Sequence, residues 1–219
     1  QDLTGALEAL QNDHFLRVII IKGDGSCFCS GLDLKEAADL ATSKNSIEAL
    51  EKALKTLHKS PFITIAAVHG QAFGGGAGLV SACDFAIAEE GALIGYPEVK
   101  RGLIPAQVMV FLKRKVKERD MKELLLLGEP VKAEKAFSMG LINKVVSEKN
   151  LMPETIKLAE QIFRTAPKAV IKTKELLDTL TGNFDQDLSN MRQEAEKWRS
   201  TDEAKEGFKA FIEKRSPIF

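Results

Sequence analysis

Residues 62–70, FITIAAVHG, run directly into QAFGGGAGLVSACD, so a buried strand passes through a glycine-rich turn into a short apolar helix that ends near Asp84. Few folds accept that junction. Gly74, Gly75 and Gly76 place bare backbone at the start of the helix, where N–H groups lack intrahelical acceptors and the helix dipole favours negative charge. The same glycines also fit a tight turn or close helix packing. No G-K-[ST] follows them, and no G-x-G-x-x-G with a downstream acid follows the first strand, so neither a nucleotide-hydrolysing loop nor a dinucleotide loop is present.

The rest of the chain sets this junction in an α/β class. A helix over residues 2–12 precedes a strand over 17–22, RVIIIK. A loop of small residues, GDGSCFCSGLD, then leads into a long helix from about Leu34 to Lys59, with Pro61 opening the next strand. FAIAEE reads as a third strand, and the alternation implies a mostly parallel sheet with right-handed crossovers. Ile104 to Arg119 and Lys132 to Met139 read as helices, followed by a short strand, INKVVS. The chain divides into a core over 1–149 and a helical region over 150–219, with Pro167 at a helix start and Gly182 at a stop. No internal repeat of fixed period is visible.

Composition narrows the function. Lys+Arg and Asp+Glu both count 31, so no basic surplus argues for nucleic acid and an anionic ligand must be held by local groups. The longest apolar runs, such as Ile63–Val68, fall short of the ~20 residues of a membrane helix. Three cysteines make no disulfide framework, and neither they nor His14, His58 and His69 have metal-ligand spacing, so no metal is expected and a reducing, cytoplasmic setting is. The chain starts at Gln1 and enters helical pattern at once, which leads us to expect a preceding segment; a mitochondrial address would depend on it.

A second small-residue loop, Cys29-Ser30-Gly31-Leu32-Asp33-Leu34, also lies between a strand and a helix, so its amides can face the crevice at the strand carboxyl ends. One N–H from each loop makes an oxyanion hole, an arrangement whose loss typically costs ~10²–10³ in rate.

FCSGLDL, HGQAFGGGAGL with ACD, YPEVKRGLIP and MGLINKVV occur in the order and spacing of the crotonase (enoyl-CoA hydratase/isomerase) family, which the chain resembles over nearly its whole length. The resemblance implies a spiral of ββα turns, a C-terminal helical region that builds homotrimers often paired into hexamers, and an acyl-CoA thioester as partner, with CoA part of the substrate and no separate cofactor. It puts the thioester oxygen on the amides of Leu32 and Gly75, with Ser30, Asp33, Gly74 and Gly76 in the flanking turns. It also implies a further strand region ahead of the first helix.

Many hydratases of the family carry two glutamates. This chain has the second, Glu98, while Gly78 stands at the position of the first. A carboxyl in an apolar crevice has its pKa raised towards working pH, which suits acid–base work, whereas a solvated loop glutamate or a helix-dipole partner is the plain alternative. One carboxylate suffices for two reactions. It can move a proton between the α and γ carbons, or it can activate water for the β carbon and return the proton to the α carbon. Ala106 stands where dienoyl-CoA isomerases of the family place a second acid, and the GGGAGLVSACD and GLIPAQVMVFLKRKV segments look most like methylglutaconyl-CoA hydratases. Hydration is the first expectation, double-bond migration the second and a non-catalytic acyl-CoA binder the third; a decarboxylase or dehalogenase on the same scaffold stays open.

Tyr96 and Gln107 flank the motifs as candidates to position water or acyl group, or simply to pack. Lys35 is a candidate for a CoA phosphate, and by resemblance Phe211 and Lys214 meet the adenine and phosphate end of CoA in a neighbouring subunit. Phe208, Phe211 and Ile212 equally fit one face of an amphipathic helix. His69 and Asp84 read as orienting or structural groups.

Overall fold

Every residue of the strand Ile63–Val68 is buried, as expected for an apolar run in a parallel sheet covered on both faces. The computed structural model describes residues 2–13, 15–31 and 40–219. In it the strands β1 (Val18–Lys22), β2 (Ile63–Val68), β3 (Gln71–Phe73), β4 (Phe85–Glu89), β5 (Leu93–Gly95), β6 (Val131–Lys132) and β7 (Lys144–Val146) form two sheets. The larger has the order β1-β2-β4-β7 and all its pairings are parallel. The smaller has the order β3-β5-β6, with β3 parallel and β6 antiparallel to β5.

The ββα turns of the resemblance imply a second strand in each turn, but the residue pattern itself does not reveal the smaller sheet. Its strands are two or three residues long, too short for a period to register, yet they place the turns of interest. The chain leaves the large sheet at Val68, turns at Gly70 and enters the small one at Gln71; it repeats the move from β4 to β5. Cys29 adds a bridge to the same ladder, pairing with Ala72, which in turn pairs with Ile94. The strands β1, β2 and β4 of the large sheet are thus each followed by a short pairing in the small one and then by a helix. This is a structural ββα repeat with no sequence period, and it is the α/β spiral that the resemblance implies.

The helices α1 (Asp2–Leu10), α2 (Leu40–His58), α3 (Gly75–Ala82), α4 (Ala106–Leu112), α5 (Glu118–Leu127) and α6 (Ala133–Ser138) accompany the sheets. The helical signal over 104–119 resolves into two helices with a turn between them. There the Lys115 ammonium donates to Cys83 O at 2.7 Å, at the carboxyl end of α3, where a cation is favoured. Leu54, Val68, Ala77, Val80, Ile94, Val108 and Leu112 belong to one buried cluster joining α2, α3, α4 and both sheets. Among the described residues no helix is long and apolar enough to cross a membrane.

The chain separates into two compact units, 1–159 and 160–219. The helix α7 (Leu151–Phe163) runs across that division in sequence. The second unit contains α8 (Pro167–Thr179), α9 (Phe184–Trp198) and α10 (Asp202–Ile212), with Pro167 in the first turn of α8. Asn183 and Thr201 accept the first-turn amides of α9 and α10, and the Glu203 carboxylate accepts the Lys168 and Ala169 amides at the start of α8. Arg215 pairs with both oxygens of Glu206, whose carboxyl also accepts the Ile218 amide; these partners hold its pKa down to about 2.

Candidate active site

The glycine turn takes its shape from three contacts. Cys29 donates its amide to Gln71 O at 3.0 Å and accepts the Phe73 amide at 2.9 Å, which fastens the loop over 26–31 alongside β3. Gly74 donates to Gly95 O at 2.9 Å, fastening the turn to β5. Gly74 itself adopts φ 52° and ψ −118° as the residue that caps α3, a conformation open to glycine. The helix therefore opens at Gly75 with its first amides lacking intrahelical acceptors, and no side chain caps them.

The second loop reaches the same point. A methyl group added to Gly31 would sit 3.7 Å from the Gly75 nitrogen and 2.6 Å from Phe73 O, and Gly31 has φ 94°. Only glycine gives this approach without strain. Leu32, Asp33 and Lys35 lie outside the described residues, as does His14. Gly31 places the end of its loop against the Gly75 amide, and Ser30 beside it is exposed. A methyl at Gly76 would stand 2.2 Å from Cys29 O, so α3 packs directly on the Cys29 loop.

Glu98 sits in a short 3₁₀ helix, Pro97–Arg101, where the sequence had suggested a loop. Pro97 fixes its first turn and Gly102 closes it in the left-handed conformation. Because Gly74 is bonded to Gly95, three residues before Glu98, the carboxyl arrives at the glycine turn: Oε1 lies 3.3 Å from where a Cβ on Gly74 would be. Its Oε2 is buried and, among the described residues, has no hydrogen-bond partner. Burial raises the pKa of this carboxyl above the ordinary glutamate value, offset in part by its own backbone amide and by Arg101. The result is a half-buried acid that sets Oε1 against the turn presenting the Gly75 amide and leaves Oε2 unpartnered among the described residues.

Gly78 lies one helical turn beyond Gly75 and is buried. No acid stands there, so Glu98 is the carboxylate that meets the turn among the described residues.

Other expectations are redirected. Tyr96 is fully buried, and its hydroxyl pairs with Ser81 Oγ at 2.7 Å and with Ala77 O at 3.3 Å; burial drives its pKa far up. It fastens the approach to Glu98 onto α3 rather than lining open space for substrate, a direction that a tyrosine's place in the sequence does not reveal. Tyr96→Phe is expected to lower stability by about 1 kcal/mol with kcat and KM unchanged within a few-fold, as thermal unfolding and steady-state kinetics would show. Gln107 donates from Nε2 to Ile47 O at 2.9 Å, which ties α4 to α2. His69 pairs through Nε2 with Gly25 O, and Asp84 accepts both the amide and the hydroxyl of Thr64, so both hold loops and strands in place. In the second unit, Phe211 at 85% exposure and Lys214, with φ 53°, both face solvent.

Leu50 has no sequence signal and emerges from the structure. Its δ carbons lie 3.2 and 3.5 Å from a Cβ placed on Gly75, so α2 puts an aliphatic side chain against the turn. The arrangement pairs an amide donor with a desolvated acid beside aliphatic carbon, which suits stabilising an enolate-like oxygen while moving a proton.

Known proteins agree with this architecture. The family model for enoyl-CoA hydratase/isomerase matches residues 1–219. A Thermus thermophilus protein provisionally named as an enoyl-CoA hydratase is 38% identical over 99% of this chain and 88% of its own length. The enoyl-CoA isomerase/hydratase fer4 of Mycosarcoma maydis is 33% identical over 95% and 78%. The crystal structure of enoyl-CoA hydratase from Bacillus anthracis superposes with a TM-score of 0.91 at 32% identity, covering 100% of this chain and 86% of that one. With the ββα spiral and the glycine turn in place, these matches show that the chain belongs to the enoyl-CoA hydratase/isomerase family of enzymes.

Proposed function

We propose that this protein hydrates α,β-unsaturated acyl-CoA thioesters using Glu98 as a single acid/base. The observation that carries the reading is the Glu98 carboxyl, half-buried and with Oε2 unpartnered among the described residues, set against the Gly74 turn. The thioester oxygen sits on the Gly75 amide, with Leu32 as the second donor implied by resemblance. Glu98 as carboxylate takes a proton from water while the water oxygen bonds to the β carbon. The π electrons move onto the thioester oxygen as an enolate. The protonated Glu98 then delivers that proton to the α carbon, and the carbonyl re-forms. Water and double bond are consumed, and the glutamate ends as it began.

Double-bond migration is the second reading, favoured by the lack of an acid at Gly78 to help orient water. Crotonyl-CoA, 3-methylglutaconyl-CoA and a 3-enoyl-CoA separate the two: hydration removes the conjugated absorbance of the first pair, and isomerisation creates it from the third. The branched substrate is included because of the likeness to methylglutaconyl-CoA hydratases. No turnover of any of the three by folded protein contradicts both readings and favours an acyl-CoA binder.

The raised pKa of Glu98 sets a pH dependence. Water must meet the carboxylate form, so kcat/KM falls as pH drops through that raised pKa. A pH–rate profile is expected to show its acidic limb above the ordinary glutamate range; a limb at about 4.3 would contradict the burial account.

The same reading extends to assembly. Leu177, Leu188, Phe208, Phe211 and Ile212 expose apolar carbon on the second unit, which supports homotrimers or hexamers in which Phe211 and Lys214 meet CoA held by a neighbouring subunit.

A further inference from the structure

Gly78 and Val108 compete for one volume. A Cβ built on Gly78 would lie 2.6 Å from Val108 Cγ1 and 3.4 Å from its Cβ, with Leu54 Cδ2 also at 3.4 Å. Val108 is 2% exposed and cannot swing into solvent. It sits in α4, whose first turn is tied to α2 by the Gln107–Ile47 bond, while Leu54 projects from α2 itself. All three helices therefore close on the bare α carbon of residue 78. That position is three residues after Gly75, hence on the same helical face, and side chains on a helix lean back towards its amino end. A side chain at 78 would lean back towards the amino end of α3, where Glu98 meets the Gly74 turn.

We propose that Val108 is the specificity-determining residue that holds this site to one acid: its isopropyl group fills the space a second carboxylate would need, so residues 78 and 108 act as an exchange pair, and this rests on the hydratase/isomerase reading of the site. The apolar seal leaves water to be oriented by Glu98 alone. Opening the seal while adding an acid at 78 places a second carboxylate where it can hold water against the β carbon, which favours hydration over double-bond migration.

Two double-mutant cycles in the full chain test this. In the first, Gly78→Ala is expected to lower Tm sharply, Val108→Ala to lower it by leaving a cavity, and Gly78→Ala with Val108→Ala to unfold well above the sum of the two losses, because the added methyl occupies the vacated space. The second combines Gly78→Glu with Val108→Gly and measures rates on crotonyl-CoA and a 3-enoyl-CoA. The ratio of hydration to isomerisation is expected to rise about ten-fold or more over the parent, a change that packing by itself does not produce. Additive Tm losses in the alanine cycle would overturn the exchange pair. An unchanged ratio in a folded Glu/Gly variant would overturn its role in acid count. A parent enzyme that turns over neither substrate would instead overturn the hydratase/isomerase reading, while the alanine cycle still decides whether the two residues share one space.

Discussion

Replacing Glu98 with Gln is expected to reduce turnover of enoyl-CoA by 10³-fold or more while leaving CoA thioester binding and the fold intact. Glutamine keeps the volume of the side chain and can still donate and accept hydrogen bonds, but it cannot cycle a proton. A site with a second acid would retain part of its rate; here no other carboxylate meets the Gly74 turn among the described residues. The variant is also expected to be more stable at neutral pH. Burial raises the pKa of Glu98 in the folded protein, so folding favours its protonated form. The carboxyl is harmless to stability below the unfolded-state pKa, and the penalty grows as pH rises through the folded pKa, above which it is complete. Removing this half-buried, partly desolvated charge should therefore raise Tm at pH 8, and by less at pH 4. Thermal scans at the two pH values with steady-state kinetics check both halves. Retained turnover, or a Tm gain independent of pH, would contradict the burial of this acid.

Gly76→Ala is the second large effect. Residue 76 is helical, so the backbone tolerates alanine; the obstacle is distance alone. The new methyl would stand 2.2 Å from Cys29 O and 2.8 Å from Cys29 Cβ, and the first of these is backbone that cannot rotate away. Either α3 retreats or the Cys29 loop is pushed off β3, which breaks the Cys29–Gln71 and Phe73–Cys29 hydrogen bonds. A loss of roughly 2–3 kcal/mol, or ~5–10 °C in Tm, is expected. The larger consequence is functional. The two loops converge because of that contact, and a displacement near 1 Å between oxyanion donors and acid costs about 10²-fold in rate. Differential scanning and kcat/KM on crotonyl-CoA check it; wild-type Tm and near-normal turnover would show that the loops meet by some other means.

Why some of this was readable beforehand and some was not follows from length and direction. The glycine turn stands between a fully buried strand and a helix, so its place at a helix start could be inferred from order alone, and α3 begins at Gly75 with Gly74 as cap. The strands Gln71–Phe73, Leu93–Gly95 and Val131–Lys132 could not be, because two or three residues carry no alternation. Yet these short strands bring Gly74 to Gly95 and so Glu98 to the turn. Tyr96 was open to either role because sequence gives position and not orientation; its hydroxyl points at Ser81. Gly78 was visible as a missing acid, but the reason no side chain fits there lies thirty residues on, in Val108, and required coordinates. The Leu32 amide, the other half of the expected oxyanion hole, lies outside the described residues.

The crystal structure of the Glu98→Gln protein with crotonyl-CoA bound is the most direct test of the account. The thioester oxygen should lie about 2.7–3.1 Å from the Gly75 nitrogen, with the residue-98 side chain facing the α and β carbons from the opposite side. A thioester oxygen turned away from Gly75, or an acyl chain that never passes residue 98, would contradict it.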